Sequence, residues 1–200
     1  INWDCLEVMK SIPDGSIDCV ITDPPYWTTA CKWDSIIPFE PMWEQLKRII
    51  KPNGAIVLFW SEPFSSALRM SNIKMYKYDW KWDKVRGSNF ATVKKRPFNS
   101  FEDITIFYKK QPTYNPQMWA GNPYEQKQGY VWEAKQTWLK RNEVITKSNG
   151  DRYPLSIIRN SKQTWLHPTQ KPVALIEYLI KTYTNEWEIV LDFTAWSGTT

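Results

Sequence analysis

The sharpest chemistry in the chain sits in four consecutive residues, Asp23, Pro24, Pro25 and Tyr26. Two prolines fix the backbone and remove two N–H donors, leaving carbonyl acceptors. The carboxylate beside them is acceptor-only when ionised, and the tyrosine adds a flat face. Two acceptors and a stacking surface suit an exocyclic amino group on a planar base. Asp23 and the Pro24 carbonyl would each hold one amino hydrogen, tilting the nitrogen toward sp3 and freeing its lone pair for attack. Tyr26 would stack on a base flipped out of its helix. The plainer reading of the same residues is a rigid Pro-Pro turn.

A second candidate is "EIVLDFTAWSGTT" at the end of the chain. Its strand-like run ends on Asp192, and small residues follow whose backbone N–H groups could serve a ligand at a helix N-terminus. It has no lysine, so it is not a phosphate loop of the Walker type. His167 is the single histidine, which argues against a histidine-rich metal site. The three cysteines, Cys5, Cys19 and Cys31, form no CxxC pair and suggest free thiols in a reducing cytoplasm.

The elements that must position these residues alternate. "CLEVMKSI" has helical spacing, and "IDCVITD" is an apolar, β-rich run ending on Asp23. "PFEPMWEQLKRIIKPNG" reads as a helix with Met42, Leu46, Ile49 and Ile50 inward and "PNG" as its stop. "AIVLFW" is a buried strand, "EPFSSALRMS" a short helix, and "KMYKYDWKWDK" and "EDITIFYKK" are strands. "KPVALIEYLIKTY" is an amphipathic helix and "EIVLDF" another buried strand. Alternating strands and helices predict an α/β, doubly wound, mostly parallel sheet, whose ligands bind at strand carboxyl ends.

From Gln111 to Leu166 the texture is polar with scattered aromatics. This stretch has eight Lys/Arg against four Asp/Glu, within a whole-chain net charge of +5. It reads as an inserted lobe, or as an ordinary surface insertion. No apolar run approaches the roughly 18 residues of a membrane span, and "INWDCLEVMK" is not a secretory signal. The chain opens without Met and closes inside a motif, as a fragment would.

"DPPY", "HPTQKPVALIEYL" and "VLDFTAWSGTT", in that order, resemble the S-adenosylmethionine-dependent amino-methyltransferases of DNA, in the permuted class whose catalytic motif precedes the cofactor motif. The resemblance implies a mixed seven-stranded sheet with helices on both faces. It implies direct methyl transfer to adenine N6, or less often cytosine N4, where Ser more often stands in place of Asp23. Asp23, Pro24, Pro25 and Tyr26 would hold the target base. His167, Pro168, Thr169, Lys171 and Pro172 would lie beside the methionine end of S-adenosylmethionine. Asp192, Thr194, Ser197, Gly198, Thr199 and Thr200 would form the cofactor loop, with Asp4 and Cys5 near the cofactor adenine. Residues 1–110 would be the catalytic half, 111–166 the target-recognition insertion, and 167–200 the start of the cofactor-binding half.

Double-stranded DNA is the implied partner, through Lys94, Lys95, Arg96, Lys140 and Arg141. The strip Lys81, Lys84, Arg86 and Lys94–Arg96 reads equally as a solvated face. The resemblance also admits a homodimer and a cognate restriction endonuclease, in a bacterial or phage-encoded cytoplasmic protein. Cytosine-C5 chemistry is not expected, because no Pro-Cys pair occurs.

Glycine numbers 7 and tryptophan 13, an inversion of ordinary usage. Trp196 falls on the first glycine of the cofactor loop, where the backbone must approach the ligand closely. Trp3, Trp27, Trp60, Trp165 and Trp187 also stand where the family has glycine or a small residue. By contrast Trp33, Trp43, Trp80 and Trp82 read as genuine. Returning the six to glycine exchanges the two counts. One decoding choice, UGA read as tryptophan in place of glycine, accounts for all six. The competing reading is an enzyme that kept DNA binding and lost its cofactor. As written, with Trp196 and its present ends, the chain is expected to be inactive. The source gene should carry UGA at Trp196, Trp187, Trp60, Trp27 and Trp3, and UGG at Trp43 and Trp82. UGG throughout would make the tryptophans real.

Overall fold

The computed structural model describes residues 4–25, 36–128, 144–163, 170–195 and 200. Helix α1 (Cys5–Met9) starts at Asp4, whose carboxylate accepts from the Leu6 N–H at 2.9 Å, an ordinary N-cap. A turn through Gly15, at φ +59°, leads into strand β1 (Ile17–Thr22). Helix α2 (Phe39–Ile49) buries Met42, Trp43, Leu46 and Ile49 along one face. Ile50, expected inside this helix, instead begins strand β2 (Ile50–Trp60).

"PNG" therefore lies within the β2 span and not past a helix end. β1 and β2 pair parallel, with Ile17 opposite Ile50 and Cys19 opposite Ala55. The extra β2 residues between these partners pass close over Asp18. A Cβ on Gly54 would come within 2.7 Å of the Asp18 carbonyl oxygen, so the irregular crossing needs glycine there.

Helix α3 (Phe64–Ser71), strand β3 (Tyr76–Ser88) and strand β4 (Asn99–Phe107) follow. Then come four short strands, β5 (Trp119–Ala120), β6 (Tyr124–Gln128), β7 (Val144–Ser148) and β8 (Asp151–Arg152). Strand β9 (Ile157–Arg159), helix α4 (Val173–Tyr183) and strand β10 (Val190–Leu191) complete the elements.

The main sheet has six strands among the described residues, in the order β10-β1-β2-β4-β3-β9, where the family resemblance implied seven. β10, β1 and β2 run parallel, β4 is antiparallel to both its neighbours, and β9 is parallel to β3. The carboxyl ends of β10, β1, β2, β3 and β9 thus share one edge with the amino end of β4.

Side chains alternate between two cores, as the pleat requires. Ala55, Val57 and Phe59 of β2 face α4, packing with Trp80, Trp82, Ile104, Ile106, Leu175 and Leu179. Ile56, Leu58 and Trp60 face the opposite layer, with Met9, Met42, Leu46 and Leu68. Both faces of the central strands are covered, which explains their unbroken apolar runs.

By contact the described chain forms two units, one from Ile1–Asn115 with Leu155–Thr200, the other Pro116–Pro154. The smaller contains two two-stranded sheets, β5 with β8 and β6 with β7, where the sequence showed no clear period. Inside it the Arg152 guanidinium lies 4.7 Å from the centre of the Tyr124 ring. No helix among the described residues is long and apolar enough to cross a membrane.

The tryptophans now separate. Trp43, Trp80 and Trp82 each bury an indole whose N–H is bonded, to Ser71 Oγ, Tyr183 Oη and the Asn160 carbonyl. Trp60 is 1% exposed and packs between Phe39 and Phe64. Trp187 is 98% exposed and holds φ at +69°, a left-handed conformation that costs any Cβ-bearing residue about 1 kcal/mol. Trp187→Gly should therefore raise the unfolding free energy by about 1 kcal/mol. Trp60→Gly should lower it by roughly 3–5 kcal/mol through loss of a packed ring. Chemical denaturation of both variants checks the two signs.

Candidate active site

The parallel pairing of β1 with β10 brings their carboxyl ends together. Thr22 Oγ1 donates to Asp192 Oδ1 at 2.6 Å. Its proton being spent there, Thr194 Oγ1, 2.5 Å away, donates to Thr22 Oγ1. The Thr194 N–H also reaches Asp192 Oδ1, at 3.0 Å, and Thr200 Oγ1 donates to Asp192 Oδ2 at 2.8 Å. Asp192 is thus a carboxylate ringed by exchangeable hydroxyls, fit to accept from the amino or hydroxyl groups of a polar ligand.

Asp23 follows Thr22 at the same edge, with Pro24 buried and Pro25 partly so. Lys171 Nζ approaches Asp23 Oδ2 to 2.6 Å and Glu102 Oε2 to 3.3 Å. Glu102 Oε1 in turn lies 3.3 Å from Nζ of the buried Lys84. The Lys171 ammonium also sits 5.3 Å from the Phe59 ring centre and 5.9 Å from that of Trp82, within cation–π range. A chain of alternating charge, Lys84–Glu102–Lys171–Asp23, runs along the edge of the sheet where β1 and β3 end and β4 begins.

This chain has a loose end. Among the described residues, the buried Asp23 Oδ1 has no hydrogen-bond partner, an uncommon state for a carboxylate oxygen. Burial pushes the Asp23 carboxyl up; Lys171 pulls it down, and Glu102 and Asp192 raise it again, leaving it at about 6. Burial also acts on Glu102, but Lys171, Lys84 and Lys162 together outweigh it and hold that carboxyl below its ordinary value. Burial lowers the Lys84 ammonium. Asp23 is therefore the member whose proton is most easily exchanged near neutrality.

Of the residues singled out in the sequence, Asp23, Lys171, Asp192, Thr194 and Thr200 join this constellation, and Pro24, Pro25 and Pro172 flank it. Lys171 faces the Asp23 carboxylate. Asp4 and Cys5 lie at the start of α1, and no hydrogen bond or ion pair among the described residues joins them to Asp23 or Asp192. Burial and then Asp4 push the Cys5 thiol up, which disfavours a thiolate. Tyr26, His167, Pro168, Thr169, Ser197, Gly198, Thr199, Lys140 and Arg141 lie outside the described residues.

Lys94, Lys95 and Arg96 are exposed on the loop joining β3 to β4, at the edge that bears Asp23. The exposed rings of Phe90 and Phe98 pack edge to face on this loop, 5.2 Å apart. Lys84 leaves the solvated strip entirely. Sequence reasoning missed Thr22, Lys84 and Glu102. A signal existed, since consecutive acids at Glu102 and Asp103 in an otherwise apolar strand must point to opposite faces, and each then needs a cation. Asp103 finds Arg69 and Lys81 on the other face, at 2.8 and 2.5 Å.

A family model described as DNA methylase matches residues 17–200. The type II methyltransferase M.HpaI of Haemophilus parainfluenzae is 28% identical over 98% of this chain and 63% of its own length. The type II methyltransferase M.BglII of Bacillus subtilis is 27% identical over all of this chain and 60% of its own. The chain thus spans less than two thirds of the length of these curated relatives. Among solved structures, the cytosine-N4-specific PvuII DNA methyltransferase superposes with a TM-score of 0.65 at 16% identity, covering 95% of this chain and 71% of that one. M1.HpyAVI in complex with SAM gives 0.57 at 21% identity, over 96% and 80%. Both share the fold.

The Asp23 geometry has a thermodynamic consequence. Its carboxyl stands at about 6 in the folded protein against an ordinary 3.8, so ionisation is harder folded than unfolded. The resulting stabilisation is full below pH 3.8 and is lost as pH rises through about 6. Asp23→Asn does not titrate. Its stability relative to the unmodified protein should improve by about 2 kcal/mol between pH 4 and pH 8, measured by denaturant unfolding at both pH values.

Proposed function

We propose, for a chain that belongs to the DNA methylase family, methyl transfer from S-adenosylmethionine to the exocyclic N6 amine of adenine at a specific site in double-stranded DNA. The observation that carries this reading is the buried Asp23 Oδ1, without a hydrogen-bond partner among the described residues, beside the prolines that follow β1. An amino group has two N–H donors, and this corner offers two acceptors, the carboxylate and the Pro24 carbonyl. Tyr26 would stack on the flipped base.

Around the loop, with glycine in place of Trp196, the residues at this edge suit the cofactor. Asp192 with Thr194 and Thr200 forms a polar cradle beside Asp23, to which Ser197, Gly198 and Thr199 would add backbone donors. His167, Pro168, Thr169 and Pro172 would flank it, with Asp4 and Cys5 at its adenine end. When bound, S-adenosylmethionine supplies an electrophilic methyl group. The protein's part is positioning and electrostatics. Asp23 and Pro24 would orient the amine and raise the electron density on nitrogen. The methylated amine must shed a proton, and Asp23 has the open oxygen and the elevated proton affinity to receive it. Lys94, Lys95 and Arg96, joined by Lys140 and Arg141, would grip phosphates and set register rather than sequence.

A cytosine-N4 substrate is the second reading. Its amine has the same two donors, and the PvuII enzyme of like fold is cytosine-N4-specific; the Asp at position 23 favours adenine. Nucleoside analysis of DNA methylated by the full-length protein should show N6-methyladenine, and N4-methylcytosine would exchange the two readings. Asp23→Ala should cut the methylation rate by about a hundredfold or more while leaving cofactor affinity nearly unchanged. An unaltered rate would refute the assignment of Asp23. Lys94→Ala/Lys95→Ala/Arg96→Ala should weaken DNA binding and lower the slope of log K against log salt by about 2–3, read by fluorescence anisotropy. DNA binding with no cofactor binding at all would make the protein a non-methylating relative.

A further inference from the structure

We propose that Lys171 is the positioning residue of Asp23: its ammonium, seated between Phe59 and Trp82 and shared with Glu102, engages Oδ2 and keeps the carboxylate ionised with Oδ1 turned to the substrate amine. The inference deepens the proposed function and rests on it. Its footing is geometric. Lys171 immediately precedes the N-cap of α4, where the helix end already carries partial positive charge. A lysine is costly there unless carboxylates surround it. Asp23 at 2.6 Å and Glu102 at 3.3 Å supply them.

Engagement of Oδ2 fixes the rotation of the Asp23 carboxylate, so that Oδ1 has a defined direction before substrate arrives. Pre-orientation of this kind removes an ordering step from the bound complex. Lys171 is the cation that acts on Asp23, against the carboxylates of Glu102 and Asp192; Glu102 itself is held by Lys171, Lys84 and Lys162. Loss of one ammonium leaves an excess of carboxylate in a buried place, and Asp23, with its open oxygen, takes up the proton. A protonated Asp23 is a poorer acceptor and no base. Glu102 has its own second cation in Lys84, so it can yield Lys171 to Asp23 without being left unpaired.

The test reads Asp23 directly, in the cofactor-free full-length protein. In the unmodified protein, the Lys171 Nζ resonance should shift as the Asp23 carboxyl titrates, because the two groups are 2.6 Å apart. Lys171→Met should raise the proton affinity of Asp23 by about tenfold or more, and Lys171→Arg should restore it. Methylation by Lys171→Met should fall most below neutral pH and recover toward alkaline pH, with KM for DNA little changed, whereas Lys171→Arg should follow the unmodified profile. A Lys171 Nζ resonance that does not respond to the titration of Asp23 in the unmodified protein would overturn the proposal even if the Met variant failed to fold. So would an Asp23 titration indifferent to Lys171→Met. Either result, with methylation still lost in Asp23→Ala, would leave the proposed function standing. Coupled titration in a protein that methylates no amine would overturn both the function and the role given to this pair.

Discussion

An ammonium placed between two carboxylates in a pocket walled by aromatic rings constrains everything around it. Lys171 must leave water to reach Asp23 and Glu102, and desolvating three charges costs several kcal/mol each unless the geometry is good. That requirement explains why the chain before α4 is held tightly, with Gln170, Lys171 and Pro172 all buried. It also explains the buried Lys84, since Glu102 serves two cations and needs both. Removing one member strands the others, so the four side chains form a unit whose weakest link, Asp23, faces the ligand edge.

The sheet makes this unit possible through direction. β1 and β2 run parallel and deliver their carboxyl ends to one edge. β4 runs against them and delivers its amino end, with Glu102, to the same edge. Had β4 been parallel, Glu102 would lie at the opposite side of the molecule, and Lys171 would have a single carboxylate. The pleat adds a second selection. Glu102 faces α4 and the site, while Asp103, one residue on, faces α3 and anchors Arg69 and Lys81. One strand start therefore supplies carboxylates to both faces, Glu102 to Lys84 and Lys171 and Asp103 to Arg69 and Lys81.

Much of this was legible in the sequence. A short apolar run ending on Asp-Pro-Pro-Tyr marked a strand end that could not continue. The spacing of Leu175, Ile176, Leu179 and Ile180 marked the inward face of α4, because local periodicity reports burial, whereas Val173, read with them, is exposed. Partners distant in sequence were not legible. Lys84 lies in an alternating, charge-rich strand that looks solvated, and its burial depends on β4 and on Lys171, which is 87 residues further along the chain. The misplaced "PNG" has a similar cause. Those residues carry the local signal of a helix stop, but the parallel neighbour β1 draws them into an irregular crossing over Asp18. Trp187 is the opposite case. Its oddity was visible in composition, and its positive φ gives that oddity a physical reason which buried Trp60 lacks.

The central claim is that Asp23 Oδ1 takes a hydrogen from the amine that is methylated. A crystal structure of the full-length protein with unmodified target DNA tests it most directly. The exocyclic nitrogen of the target base is expected within hydrogen-bond distance of Asp23 Oδ1 and the Pro24 carbonyl, with Lys171 still on Oδ2. A target amine held elsewhere, with Asp23 bonded to Lys171 alone, would contradict it.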